Sequence, residues 1–313
     1  MPHALPSTAA AATRVHVYLG KGGVGKTTCS AATALAQAEA GEPSLVISTD
    51  PTPSLSHIFG VEGVHRDREV YPGLHMTEFG LDDVRAMWDE AFGRDVYGVF
   101  SSFVDVDYPS FVQFMTSVLP GLNEEFMVDY IRRLARDARY RHVVWDTAPL
   151  GQTLALLGMP AMLEEHLRAA PRIYSHLRTS GERKEPVIAI IARWRQLAAE
   201  CMEFLRRQVR FSMVTIPEAL SVNQLDGVVR ELRRYDLHID RIVVNNVVRD
   251  PDSPFLVQRM RQQQGHLQRL RADFAHLPVV EIPLFPEEVR GLERLRAVGR
   301  WLCPAVAATA GAA

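Results

Sequence analysis

Cysteine is scarce in this sequence of 313 residues. The three cysteines, Cys29, Cys201 and Cys303, lie far apart along the chain, and no two of them form a C-x-x-C pair. The pattern therefore indicates neither a disulfide framework nor a zinc site built from four thiolates. We interpret all three as small residues of the core.

Long apolar runs and an excess of charge of one sign are also missing. No run approaches the roughly 20 apolar residues that a membrane-spanning helix needs, and the N-terminal stretch lacks the basic start and apolar segment of a secretory signal. The net charge of −2 gives no electrostatic reason to expect nucleic acid as a partner. We predict a cytoplasmic globular protein with disordered tails at residues 1–13 and 304–313.

Lysine is the rarest charged residue. The chain has 35 basic residues, but only Lys21, Lys26 and Lys184 are lysines, and two of these stand in the glycine-rich stretch LGKGGVGKTT. The guanidinium group of arginine is planar and wide, whereas the ammonium group of lysine is compact and ends a flexible aliphatic chain. A crowded phosphate pocket that accepts lysine and rejects arginine would explain this placement.

The stretch lies between a predicted strand and a predicted helix. Residues 14–19 are β-rich, residues 27–40 are rich in alanine, and the segment between them matches the P-loop pattern G-x-x-x-x-G-K-T. In a P-loop, backbone N–H groups and the helix N-terminus bind phosphate, while the lysine reaches the β- and γ-phosphates and the threonine hydroxyl binds Mg²⁺. The predicted nucleotide-binding residues here are Gly20, Lys21, Gly22, Gly23, Val24, Gly25, Lys26, Thr27 and Thr28.

Two aspartates follow buried strands. Residues 43–48 and 141–145 read as parallel strands, the first followed by STDP with Asp50 and the second by DTAP with Asp146. Ligands of open α/β sheets bind at the carboxyl ends of the strands. Asp146 fits the role of holding Mg²⁺ through water, and Asp50 is placed to orient the attacking water and is a possible metal ligand. Either aspartate could instead cap the helix that follows it.

The motif KGGVGKT, with its additional lysine, resembles the deviant P-loop of an NTPase class that includes ArsA, MinD, ParA and the nitrogenase iron protein. In that class the additional lysine reaches across a dimer interface to the phosphates of the partner's nucleotide. The resemblance implies a homodimer in which Lys26 serves its own site and Lys21 serves the neighbouring one. A solvated loop lysine is the alternative.

STDP and DTAP together resemble the ArsA family, which comprises arsenical pump ATPases and the ATPase that targets tail-anchored membrane proteins. The resemblance continues through TIPEALSV (215–222), VVNN (243–246) and IPLFPEEVRGLERL (282–295). It implies an α/β P-loop fold with a mainly parallel, doubly wound sheet. It also implies nucleotide contacts at Glu218, Asn245 and Pro283.

Two of these positions, Glu218 and Asn245, have other interpretations from the residues alone. Glu218 is also the acid expected in the first turn of a helix, and Asn245 is also a turn residue after a strand. The amide of Asn245 nonetheless offers both a donor and an acceptor to the edge of adenine. Ser221 and Gln224 have the spacing of a capping box, which predicts a helix that begins near Ser221.

The sequence also departs from the family pattern. After Asp50 it has Pro53 and Ser54 where a histidine and an asparagine are common, and the second switch has Leu150 and Gln152 where threonine and histidine are usual. Nothing after Asn246 resembles the C-x-x-C that joins the eukaryotic targeting dimer through zinc. We therefore expect no zinc, and any dimer must form without it.

Residues 81–139 and 158–208 interrupt the alternation of strands and helices and are predicted to be helical insertions in a single domain, 14–303. The first is dense in aromatic residues, and the second has apolar residues at helical spacing. In the targeting relatives such insertions form an apolar groove for a client's transmembrane helix, whereas packing into the core is the simpler interpretation.

Taken together, the residues and the resemblance predict a Mg²⁺-dependent ATPase that switches as a homodimer and handles a hydrophobic client or a membrane protein partner. Two alternatives stay open: the energising subunit of an arsenite or anion efflux pump, and a ParA-like or MinD-like positioning ATPase.

Overall fold

The computed structural model describes most of the predicted domain. Asp50, Pro53, Leu150, Gln152, most of the two predicted tails and all of 158–186 lie outside the described residues. The described ranges are 12–49, 54–63, 66–79, 81–101, 106–112, 122–147 and 187–304.

A single twisted sheet organises these residues. Its strands in the described ranges are β1 Arg14–Gly20, β2 Ser44–Ser48, β3 Arg68–Tyr71, β4 Leu74–Glu78, β5 His142–Asp146, β6 Val209–Thr215, β7 Ile239–Val247 and β8 Val279–Pro283. They run in the order β3-β4-β2-β5-β1-β6-β7-β8, and every pairing is parallel except that of β3 with β4. This confirms the predicted mainly parallel α/β sheet.

Helices cover both faces of the sheet. None of those in the described ranges is long and apolar enough to cross a lipid bilayer. The helices in these ranges are α1 Lys26–Glu39, α2 Leu55–Phe59, α3 Leu81–Trp88, α4 Arg94–Phe100, α5 Leu122–Asp137, α6 Val187–Arg207, α7 Ala219–Arg234, α8 Pro254–Asp273 and α9 Leu292–Leu302. A five-residue π-helix, Asp89–Gly93, joins α3 to α4.

The core forms two layers because neighbouring residues of a strand point to opposite faces. Val17 of β1 packs with the layer beneath α3, α5, α6, α7 and α8, while the next residue, Tyr18, packs with α1, α2 and α9. In β2, Val46 packs with the same layer as Tyr18, and the next residue, Ile47, packs with the same layer as Val17. Strands buried on both faces read as continuous apolar runs, which is why β2 and β5 were visible in the sequence.

The described aromatic residues of the first insertion pack into this core. Trp88 and Phe111 are fully buried, and Phe92, Tyr97 and Tyr108 lie partly buried against the same layer. The large apolar side chains that are exposed in the described ranges are Leu220, Phe255, Leu284 and Trp301, none of which belongs to the insertions. The described part of the insertions therefore supports core packing at these positions.

A pair of histidines lies between β1 and β5, toward the ends of these strands opposite the P-loop. His16 and His142 stack with their ring centroids 5.5 Å apart, and a hydrogen bond of 3.3 Å joins His16 Nε2 to His142 Nδ1. The Nε2 atom of His142 also contacts the carboxylate of Glu42. Burial, with the neighbouring His142 and nearby arginines, lowers the pKa of His16 from 6.5 to about 3, and burial lowers the pKa of His142 as well.

This pair predicts an acid-sensitive fold. Unfolded His16 takes up a proton near pH 6.5, whereas folded His16 stays neutral down to about pH 3. The free energy of unfolding should therefore be highest above pH 6.5 and fall as the pH decreases, by up to about 1.4 kcal/mol per pH unit for each histidine kept neutral. Urea unfolding between about pH 5 and 7.5 measures this slope. Carboxyl groups with a lowered pKa titrate below this range and therefore do not contribute to the slope. A His16→Phe variant should give a flatter profile, and an equal slope in both proteins would contradict the assignment.

Candidate active site: a phosphate-binding loop with two lysines

The loop between β1 and α1 has the geometry that a bound phosphate requires. Gly23 and Gly25 have φ values of 78° and 96°, in the left-handed region that favours glycine. A Cβ on Gly20 would lie 2.5 Å from the carbonyl oxygen of Val214 on the neighbouring strand, so the loop can start there only with glycine. Helix α1 has no capping side chain among the described residues and no acid in its first turn. The N–H groups and the positive dipole at its N-terminal end can therefore bind an anion.

The two lysines of the loop occupy different environments. Lys26 is only 6 % exposed, and its Nζ donates a hydrogen bond of 3.2 Å to the backbone carbonyl of Lys21. Lys21 is partly exposed, and its ammonium makes no hydrogen bond or ion pair with any residue that the structure describes. One cation is therefore held inside its own loop, while the other has no such partner among the described residues.

A cavity of about 680 Å³ opens beside this loop. One wall is the loop with the start of α1, a second is the segment around α2, and a third is the segment between β8 and α9. Its lining residues are Gly22, Gly23, Gly25, Lys26, Thr27, Thr28, Ser54, His57, Ile58, Asn245, Asn246, Phe285, Pro286, Glu287, Glu288, Val289 and Val298.

The predicted metal-binding residues offer oxygen donors. Thr27 stands in the first turn of α1, and its Oγ1 lies 3.5 Å from Ser54 Oγ. Asp146 is the last residue of β5 and fully buried, and its Oδ2 accepts a hydrogen bond of 3.3 Å from Ser48 Oγ. Hydroxyl and carboxylate oxygens are donors that Mg²⁺ prefers. No group of three or more His, Cys, Asp or Glu residues in the described ranges could hold a metal by itself.

Comparison with known proteins decides the family. The model of the anion-transporting ATPase family matches residues 13–303. The chain belongs to the anion-transporting ATPase family. The ArsA resemblance and the ATPase activity predicted from the motifs are thereby confirmed.

Curated relatives align over nearly the whole ATPase. ATPase GET3A of Arabidopsis thaliana is 31 % identical over 296 residues, covering 89 % of this chain and 80 % of that protein. ATPase get3 of Schizosaccharomyces pombe is 28 % identical over 312 residues, covering 93 % and 92 %. The putative arsenical pump-driving ATPase 2 of Aquifex aeolicus is 26 % identical over 309 residues, covering 92 % and 99 %.

Five predicted nucleotide-binding residues of this ATPase do not line the cavity: Gly20, Lys21 and Val24 of the loop, and the more distant Glu218 and Pro283. Glu218 occupies the N-cap position of α7 and pairs with Arg259 at 3.0 Å, in a separate cavity of about 410 Å³ between α7 and α8. Pro283 ends β8 beside Val247, two residues before the first lining residue of that segment, Phe285. Both contacts stay predictions from the sequence. Asn245, in contrast, lies within β7 and lines the cavity.

The cavity includes residues to which the motifs assigned no role. His57 Nε2 lies 3.3 Å from Glu288 Oε1, and the backbone N–H of Gly291 donates to the carbonyl of Ile58 at 2.8 Å. These contacts join α2 to the segment that follows β8. The family resemblance identified this segment through the residues IPLFPEEV. No local sequence pattern, however, predicts that the segment contacts α2.

Proposed function

We propose that this ATPase binds ATP with Mg²⁺ in the P-loop cavity and hydrolyses it at the interface of two copies of the chain. The observation that carries the proposal is the unequal use of the two lysines. Lys26 is held within its own loop by a hydrogen bond to a backbone carbonyl. The ammonium of Lys21, five residues earlier, has no partner among the described residues. Each copy would then supply Lys21 to the phosphates bound by the other.

Each residue of the loop has a definite task in this proposal. The N–H groups of the loop and of α1 bind the phosphate oxygens, and Lys26 exchanges the carbonyl of Lys21 for the β- and γ-phosphates. Thr27 would hold Mg²⁺ directly and Asp146 would hold it through water, and the ion neutralises charge that develops on the phosphates. Asp50, outside the described residues, would orient the water that attacks the γ-phosphate.

Thr27 offers a test of the metal site. Thr27→Ala removes the hydroxyl that would bind Mg²⁺, so ATP turnover should fall by about a hundredfold and need more Mg²⁺. Thr27→Ser keeps the hydroxyl and is the matched control, for which we expect turnover near that of the unmodified protein. Phosphate release measured across a Mg²⁺ titration, with chelated metal as baseline, gives the result. Equal Mg²⁺ dependence in the two variants would place the ion elsewhere.

Contacts among the described residues support a signalling route from this site to the first insertion. Thr27 lies beside Ser54, and the N–H of the next residue, Leu55, donates at 2.7 Å to the carboxylate of Glu78. Glu78 is buried and ends β4, from which the chain runs into α3. Loss of the γ-phosphate would release the segment around Ser54 and shift α3 through Glu78, which is the kind of step that switch segments use. This supports our proposal that nucleotide state controls binding of a hydrophobic client or membrane protein partner.

Stimulation by arsenite is the competing proposal, and the described thiols disfavour it. Burial raises the pKa of Cys29 to about 12 and also raises the pKa of Cys303, so both thiols stay protonated at neutral pH. Cys201 packs in the core layer on the opposite face of the sheet from Cys29. The three sulfurs of one chain therefore do not converge on a metalloid.

A further inference from the structure

The side chain of Asn245 contacts the phosphate-binding loop directly. Its Nδ2 donates a hydrogen bond of 3.0 Å to the carbonyl oxygen of Val24. A Cβ placed on Gly25 would lie 2.3 Å from the same nitrogen. The carboxamide therefore packs against the loop where the backbone turns left-handed and α1 begins.

The orientation of this carboxamide follows from hydrogen-bond chemistry. The carbonyl of Val24 can only accept, so the amide must present its NH₂ group to the loop. The oxygen, Oδ1, makes no hydrogen bond to any residue in the described part of the chain. Because Asn245 lines the cavity, one end of its amide holds the loop while the other remains for a ligand.

We propose that Asn245 is a positioning residue for the phosphate-binding loop. This inference rests on the proposed function and assigns Asn245 a second role beside the predicted contact with adenine. By fixing Val24 and Gly25, it holds the N–H groups of the loop and of α1 in the arrangement that converges on phosphate. Without the donor, the carbonyl of Val24 loses this hydrogen bond and the loop gains conformational freedom. Phosphate binding must then order the loop, and this cost in free energy weakens the affinity.

A ligand that carries phosphates but no base separates the two roles of Asn245. Inorganic tripolyphosphate with Mg²⁺ occupies only the phosphate site. If Asn245 contacted adenine alone, its replacement would weaken ATP binding and leave tripolyphosphate binding unchanged. If it positions the loop, both ligands must bind more weakly.

The experiment is calorimetric titration of the full chain with ATP and with tripolyphosphate, each with Mg²⁺. Asn245→Leu keeps the approximate shape of the side chain without its donor, and Asn245→Ala removes the side chain. We expect both variants to bind tripolyphosphate about tenfold more weakly than the unmodified protein. Phe285→Ala changes the cavity wall formed by the segment between β8 and α9 rather than the loop, and should leave tripolyphosphate binding unchanged.

Folding of each variant is checked by thermal unfolding, and the alanine variant provides the result if the leucine variant does not fold. Weaker binding of ATP with unchanged binding of tripolyphosphate in the folded Asn245 variants would overturn this inference and leave the proposed function intact. Failure of the unmodified protein to bind either ligand would instead overturn the proposed function.

Discussion

Lys21→Arg is expected to lower the ATP turnover number by at least about a hundredfold while the Kd for ATP changes only a few-fold, since cations supplied to phosphoryl transfer act mainly on the transition state. The substitution keeps the charge but replaces a compact ammonium by a wide planar fork. The carbonyl of Lys21 that accepts from Lys26 is backbone and is retained. Steady-state phosphate release and equilibrium ATP binding measure the two quantities separately.

Lys184→Arg is the matched control, because it makes the same exchange at the one lysine outside the loop. It should leave turnover unchanged. Normal turnover in Lys21→Arg would show that Lys21 is a solvated loop residue and would remove the reason for placing it at an interface.

Gly25→Ala should abolish measurable ATP binding, with a loss of at least about a hundredfold in affinity. The added methyl group would meet Asn245 Nδ2 at 2.3 Å, and the residue has a φ of 96°, which alanine adopts only under strain. The loop must then shift at the point where α1 starts, so its N–H groups no longer converge on phosphate. Equilibrium titration with ATP and Mg²⁺ measures the loss.

Gly22→Ala tests whether the effect belongs to Gly25 or to any added methyl in this loop. A Cβ on Gly22 meets nothing within 4 Å, and its φ lies outside the left-handed region. Affinity for ATP should therefore stay within a few-fold of the unmodified protein. Equal losses in the two variants would show that any added methyl group in this loop weakens binding, and would contradict the assignment of the effect to the strain and the contact at Gly25.

The sequence predicted the elements that local patterns determine. Buried parallel strands are continuous apolar runs, so the predicted bounds of β1, β2 and β5 agree with the structure to within one or two residues, and the predicted helix over 27–40 corresponds to α1. The capping box predicted at Ser221 and Gln224 was wrong, because α7 begins at Ala219 and its N-cap position is occupied by Glu218.

The parts of the site that were not predicted depend on contacts between distant segments. No local pattern near Ser54 or His57 indicates that Glu288 lies opposite them. The hydrogen bond from Asn245 to Val24 likewise requires β7 to lie two strands from β1 in the sheet, with β6 between them. Residue types therefore predicted a phosphate site, whereas the shape of its cavity followed only from the assembled sheet.

The central claim, that each copy supplies Lys21 to the other, is tested most directly by a mixed dimer. Subunits carrying Lys21→Arg and subunits carrying Asp50→Asn are co-expressed with different tags and purified as heterodimers in the presence of ATP. If Lys21 acts across the interface, the site in the Lys21→Arg subunit receives an intact Lys21 from its partner, and the heterodimer should show about half of normal turnover because one of its two sites is complete. Turnover no higher than that of either variant alone would contradict the account.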